Sequence, residues 1–155
     1  MKAHSMKALT DLPPGRLGRA GFTLIELLMV LVIMGVLTAL ALPSYTRHVQ
    51  RGNRAEAMAA LMEAQHFMER YYSANGRYTG SAGSLPVLPL RLQDVPTATA
   101  ARYRLSVGSA TVNAYVLQAE PVGTMAGDVC GTLTLNQTGQ RGVAGSALSA
   151  AECWR

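Results

Sequence analysis

The chain has 155 residues and a formal net charge of +5, enough length for one compact domain beside a membrane segment. The charge is a poor argument for nucleic acid. Lys2, Lys7, Arg16 and Arg19 against Asp11 put three of the five charges in residues 1–21, and every later basic residue is an arginine.

Residues 1–21 contain Pro13, Pro14 and Gly15, which argue against regular structure. From Phe22 to Leu42 runs an apolar stretch whose one charge is Glu26. As a helix it is long enough for a bilayer core, which takes about 20 residues. Glu26 sits one turn inside, where an ionisable group costs on the order of 2.5–3.5 kcal/mol, so a partner and a task are expected for it. A secretory signal would account for Ala39, Leu40 and Ala41 as an A-x-A site, but its apolar region is shorter and carries no acid. A plain membrane anchor leaves Gly21 and Glu26 without a role.

Gly21, Phe22, Thr23, Leu24, Ile25 and Glu26, followed by the long apolar helix, resemble the processing and assembly motif of type IV pilins. The resemblance implies that a prepilin peptidase removes residues 1–21 by cutting after Gly21, that Phe22 is then N-methylated, and that Glu26 serves filament assembly by charge pairing. Gly35 and Pro43 fall where pilins carry helix-loosening residues. The implied organisation is a leader over 1–21, a transmembrane or filament-core helix over 22–42, its amphipathic continuation over 43–73, and a globular head over 74–155.

Beyond Pro43, which would kink the helix without ending it, Ala55, Met58, Met62, Gln65, Met68 and Tyr72 recur at three- and four-residue spacing and predict the buried face. Met-rich stripes of this kind read as core. His48 and His66 are 18 residues apart and read as ordinary surface or boundary residues. Asn75-Gly76 predicts the helix end, and the glycines and prolines from Gly80 to Pro96 predict a loop.

Strand patterns follow. Tyr103, Leu105 and Val107 alternate with Arg102, Arg104 and Ser106; Gly108-Ser109 reads as a turn; Tyr115–Glu120 reads as the partner strand. Thr132–Leu135 alternates again, Asn136–Gly139 reads as a turn, and Arg141–Val143 as a short fourth strand. The fold class is α+β, a long N-terminal helix on an antiparallel sheet of about four strands, which the pilin resemblance also implies.

The two cysteines, Cys130 and Cys153, lack the CxxC spacing of a zinc or redox centre. In an exported domain such a pair most simply forms a disulfide, contributing about 3 kcal/mol on the chain-entropy model. Arg54 to Ala57, Glu69 to Tyr72, Asn75 to Thr79, and Gly127 to Leu133 with Cys153 and Trp154 resemble PilE-like minor pilins. No GxSxG elbow, P-loop or HExxH occurs, so no catalytic residue, metal or cofactor is predicted. Arg102 and Arg104 share a strand face that would meet solvent, an acidic partner or phosphate.

The expected function is that of a pilus subunit, a minor pilin in initiation and assembly, and so in twitching motility and adhesion. The expected setting is the bacterial inner membrane with the head in the periplasm, then the pilus at the cell surface. Implied partners are the prepilin peptidase, minor and major pilins, the inner-membrane platform protein and a tip adhesin. Alternatives are a type II secretion pseudopilin and a DNA-binding pilin in DNA uptake, with nucleic acid the less favoured partner.

Overall fold

Thr23 starts the long helix. Its hydroxyl accepts the Glu26 backbone N–H at 3.3 Å and its carbonyl the Leu27 N–H at 3.2 Å, the arrangement of an N-cap. The computed structural model describes residues 21–155, so of the expected leader only Gly21 falls within it. Helix α1 spans Leu24–Asn75, 52 residues, and continues through Gly35 and Pro43. It closes where predicted. Gly76 takes φ +66°, a left-handed conformation that suits glycine, and its N–H reaches the Tyr72 carbonyl at 2.7 Å.

The chain divides into two units, Met1–Leu40 and Ala41–Arg155. In the first, every described residue is exposed. Apart from Glu26 its helical segment is apolar all round, and Thr38 returns its hydroxyl to the Met34 carbonyl at 2.7 Å.

In the second unit the helix buries Asn53, Ala57, Met58, Leu61, Ala64 and Met68. This differs from the predicted face. Met58 and Met68 are buried as expected, but Ala55 and Met62 are exposed. Two stripes with the same three- and four-residue spacing interleave here. The one bearing Ala57, Leu61 and Ala64 is the face that joins the buried cluster of the sheet residues Tyr103, Leu105, Tyr115, Leu117, Leu133 and Leu135.

The sheet has five antiparallel strands in chain order: β1 (Asp94–Val95), β2 (Tyr103–Ala110), β3 (Tyr115–Pro121), β4 (Thr132–Asn136) and β5 (Arg141–Ala144). Four match the predicted strands. The two-residue β1 lies in the stretch read as loop, after a one-turn helix α2 (Leu90–Gln93). It pairs Asp94 with Arg104 and Val95 with Tyr103. Gly108 is not in a turn. It sits inside β2, where the register with β3 slips between Val107 and Ser109, and a Cβ there would fall 2.3 Å from the Gln118 side chain. The glycine marks a bulge at a close approach. The hairpin closes instead at 111–114, with the Thr111 N–H on the Ala114 carbonyl at 2.7 Å.

The C-terminal turn α3 (Ala150–Cys153) starts with a capping box between Ser149 and Glu152. Cys153 is bonded to Cys130, and both are buried. Trp154 donates its indole N–H to the Gly142 carbonyl at 2.9 Å and stacks beneath the Arg141 guanidinium, 5.3 Å from the ring centre. The tail is thereby pinned to the edge strand.

Candidate functional site

Two groups of residues carry the functional argument. The first is the N-terminal segment. Gly21 has open space around it, Phe22 is 82% exposed, and Glu26 lies exposed in the first turn of α1. The Glu26 carboxylate makes no ion pair among the described residues. Thr23 was not singled out by its sequence, although Thr23-x-x-Glu26 is a capping-box spacing. The cap uses the backbone N–H of Glu26, so its side chain is left for other work. The helix is long and apolar enough to cross a membrane, with a mean hydropathy of 2.6 in its most apolar window.

The second group locks the head together. Asp128 lies buried with its side chain fully covered, and Arg54 from α1 grips it with both nitrogens of its fork, Nε to Oδ2 at 2.8 Å and Nη2 to Oδ1. Tyr103 from β2 donates its hydroxyl to Oδ2 at 2.7 Å. Burial works to raise the Asp128 pKa, but the Arg54 and Tyr103 hydrogen bonds and the Arg54 charge together outweigh it and hold the carboxyl below its ordinary value. Arg54 is pushed up in turn, chiefly by its hydrogen bond to Asp128. Tyr103 is raised by burial first and by its bond to the carboxylate second. A bidentate pair of this kind fixes geometry and is costly to break. It joins α1 and β2 to the segment that leads into Cys130.

A second acid does similar work near the helix end. Glu69 accepts the Tyr78 hydroxyl at 3.1 and 3.0 Å and the Tyr115 hydroxyl at 3.1 Å. The Tyr72, Tyr78 and Tyr115 rings pack at 4.6 and 4.7 Å between centres. Arg102 and Arg104, which shared a predicted surface face, are engaged within the chain. Arg102 donates to Asn53 at 3.1 Å and lies 3.9 Å from Glu56, and Arg104 meets Asp94 at 3.3 Å.

The geometry is that of a locked head and an apolar helical segment whose described residues are all exposed. The comparisons with known proteins agree. The family model described as "Prokaryotic N-terminal methylation motif" matches residues 16–42, and that described as "Type IV minor pilin ComP, DNA uptake sequence receptor" matches residues 43–134. The chain is 33% identical over 123 residues to the type IV wide pilus major component PilA4 of Thermus thermophilus, covering 79% of this chain and 84% of that one. The chain belongs to the type IV pilin family. The pilin is also 31% identical over 68 residues to the type II secretion system core protein G of Pectobacterium carotovorum, covering 44% of each chain. Among solved structures, the Neisseria meningitidis non-core minor pilin PilV superposes with a TM-score of 0.49 at 22% identity, over 66% of this chain and 94% of that one.

Membership makes this pilin a structural subunit that associates with other pilins, with an apolar N-terminal helix consistent with membrane anchoring and a pilus. The sequence motif at Gly21–Glu26 and the cysteine pair were legible in advance. The Arg54–Asp128–Tyr103 lock was not, although both Arg54 and Asp128 stand in segments that resemble PilE-like pilins.

Proposed function

We propose that this pilin is a minor subunit acting in pilus initiation and assembly, and through the pilus in twitching motility and adhesion. The observation that carries the proposal is the match of a minor-pilin family model to residues 43–134, next to a methylation motif over 16–42. On this reading the prepilin peptidase cuts after Gly21 and Phe22 is N-methylated. The segment over 22–42 holds the precursor in the inner membrane with its head in the periplasm, and the platform protein and neighbouring pilins draw it into the fibre. Glu26 then pairs with a neighbour's amine. Gly35 and Pro43 loosen the helix during that transfer. The disulfide between Cys130 and Cys153 suits an oxidising compartment outside the cytoplasm.

A DNA-uptake role is the second reading, because the matched family model is described as a DNA uptake sequence receptor. Arg91, Arg102 and Arg104 are engaged with Glu63, Glu56 and Asp94, which lowers the basic surface free for phosphates. Salt-dependent binding of duplex DNA by the protein would favour this role. The likeness to core protein G keeps a secretion pseudopilin as a further alternative.

Intact-mass analysis of pili sheared from cells tests the main proposal. It expects a chain that begins at methylated Phe22 and is present well below the major subunit. A chain starting elsewhere would overturn the processing, and equal abundance would overturn the minor role.

A further inference from the structure

The arginines just past the apolar run form a cleft that the pilin role leaves unused. Arg51, Arg54, Glu152 and Arg155 line a cavity of about 400 Å³. An adjoining one of about 240 Å³ shares the first three of these and adds Arg47, Gln50, Val129 and Leu148. Arg54 is held by Asp128 and cannot turn to a ligand. Glu152 is spent on its cap, accepting both the N–H and the hydroxyl of Ser149. Among the described residues Arg47 and Arg51 make no ion pair, and Arg155 donates to the Ala151 carbonyl while its charge also acts on Glu152. Arg51 thus lines both cavities, Arg47 the smaller and Arg155 the larger, and the one acid common to the two, Glu152, is already bonded to Ser149.

Position along the helix says which anion reaches them. The apolar run ends at Leu42, and Tyr45, 68% exposed, follows at the place where membrane proteins carry interfacial aromatics. At a rise of about 1.5 Å per residue, Arg47 lies roughly 7 Å beyond Leu42 and Arg51 roughly 13 Å. Headgroups occupy about 5–7 Å on each side of the hydrocarbon core, and a long arginine side chain reaches back along the helix. Val129 and Leu148, both exposed, flank the cleft and are apolar where the interface is apolar.

We propose that this cleft binds the phosphate of a phospholipid headgroup, with Arg47, Arg51 and Arg155 as its ligands, and so rests the head on the membrane surface before assembly. The proposal depends on the membrane residence proposed above, which co-flotation with vesicles tests separately.

The full chain, reconstituted into phosphatidylglycerol vesicles carrying a headgroup spin label, reports the contact through its single tryptophan. Trp154 is the neighbour of Arg155. Quenching is expected in these vesicles, and little in vesicles of a galactolipid that has no phosphate. R47Q/R51Q should shift the head's bound-to-free equilibrium by about fivefold per arginine, about 30-fold in all, while R70Q/R77Q, exposed arginines outside the cleft, leave it unchanged. A non-reducing gel showing the Cys130–Cys153 bond in each variant confirms that the head is folded. Equal quenching in both lipids or in R47Q/R51Q, with the chain still floating, overturns the cleft alone. Failure to float overturns the membrane reading with it. Complete relief of quenching by millimolar inorganic phosphate would make this a free-phosphate site and overturn the lipid assignment, and relief by duplex DNA alone would overturn it in favour of the DNA-uptake role.

Discussion

Residues 21–40 and residues 41–155 solve the problem of burial in opposite ways. In the head, two acids sit among tyrosines and an arginine, and among the described residues no buried side-chain polar atom lacks a hydrogen-bond partner. In the N-terminal segment, Leu24, Ile25, Leu27, Leu28 and their successors are all exposed. An apolar surface of that extent is stable only against lipid or other apolar helices. The head therefore carries its stability in its own contacts, and the segment carries its function in contacts with other molecules. Substitutions in the head should change unfolding, and substitutions in the segment should change assembly.

The largest expected effect on the head comes from Arg54→Met. It leaves the fully covered Asp128 carboxylate without its cation, and such a loss costs about 3–5 kcal/mol. Urea unfolding of the full chain in detergent, followed by Trp154 fluorescence, measures it. Adding Asp128→Leu should recover most of the loss, because the unpaired buried charge is then gone; no recovery would mean that Arg54 acts through packing instead. Next comes Cys153→Ser, expected to cost about 3 kcal/mol by freeing the loop that the bond closes, with reduction of the wild type giving the same shift in midpoint.

A smaller effect is expected from pH. The Asp128 pKa lies below its unfolded value of about 3.9. Its contribution is therefore present at neutral pH and is lost as pH falls below about 4 through the folded value. Tyr103 is shifted the other way. Its raised pKa gives a contribution that is full below about 10 and is lost as pH rises beyond that. A stability profile that weakens at both ends is the expected result, and Arg54→Met should flatten its acid limb. An acid limb unchanged in that variant would assign the acid sensitivity to another group.

What was legible in the sequence follows the same division. The N-terminal motif is local, with Gly21, Phe22 and Glu26 at fixed spacing, so it reads directly from the chain. The helix end at Gly76 and four of the strands were also local, set by an Asn-Gly pair and by alternation. Errors arose where a choice depended on contacts far along the chain. Two stripes fitted the helix period, and only the sheet selects Ala57 and Ala64 over Ala55 and Met62. Gly108 has the composition of a turn, but the opposing Gln118 makes it a bulge. The Arg54–Asp128 pair spans 74 residues, and neither residue carries a signal that names the other.

The last expected effect on head stability is none at all, and it concerns Glu26. Cleavage after Gly21 would create an amine on Phe22, and both charges would lie among apolar helices in a fibre. Each is costly to bury alone, and pairing offsets part of that cost. A contact from the carboxylate of one subunit to the amine of the next repeats without closing, which builds a helical filament. Glu26→Val should keep the wild-type unfolding midpoint and should still be cut after Gly21, but its share of sheared pili should fall by about tenfold or more. A pairing worth only about 1.4 kcal/mol accounts for a tenfold change. Recovery of Glu26→Val in pili at the wild-type ratio would remove the pairing account. Thr23→Val separates the charge from the helix start. The cap runs from the Thr23 hydroxyl to the backbone N–H of residue 26, so Glu26→Val keeps it and Thr23→Val removes it at a cost of about 1 kcal/mol. If assembly depends on the charge, Thr23→Val enters pili nearly as the wild type does. Equal exclusion of both variants would instead make the start of the helix the feature that assembly reads.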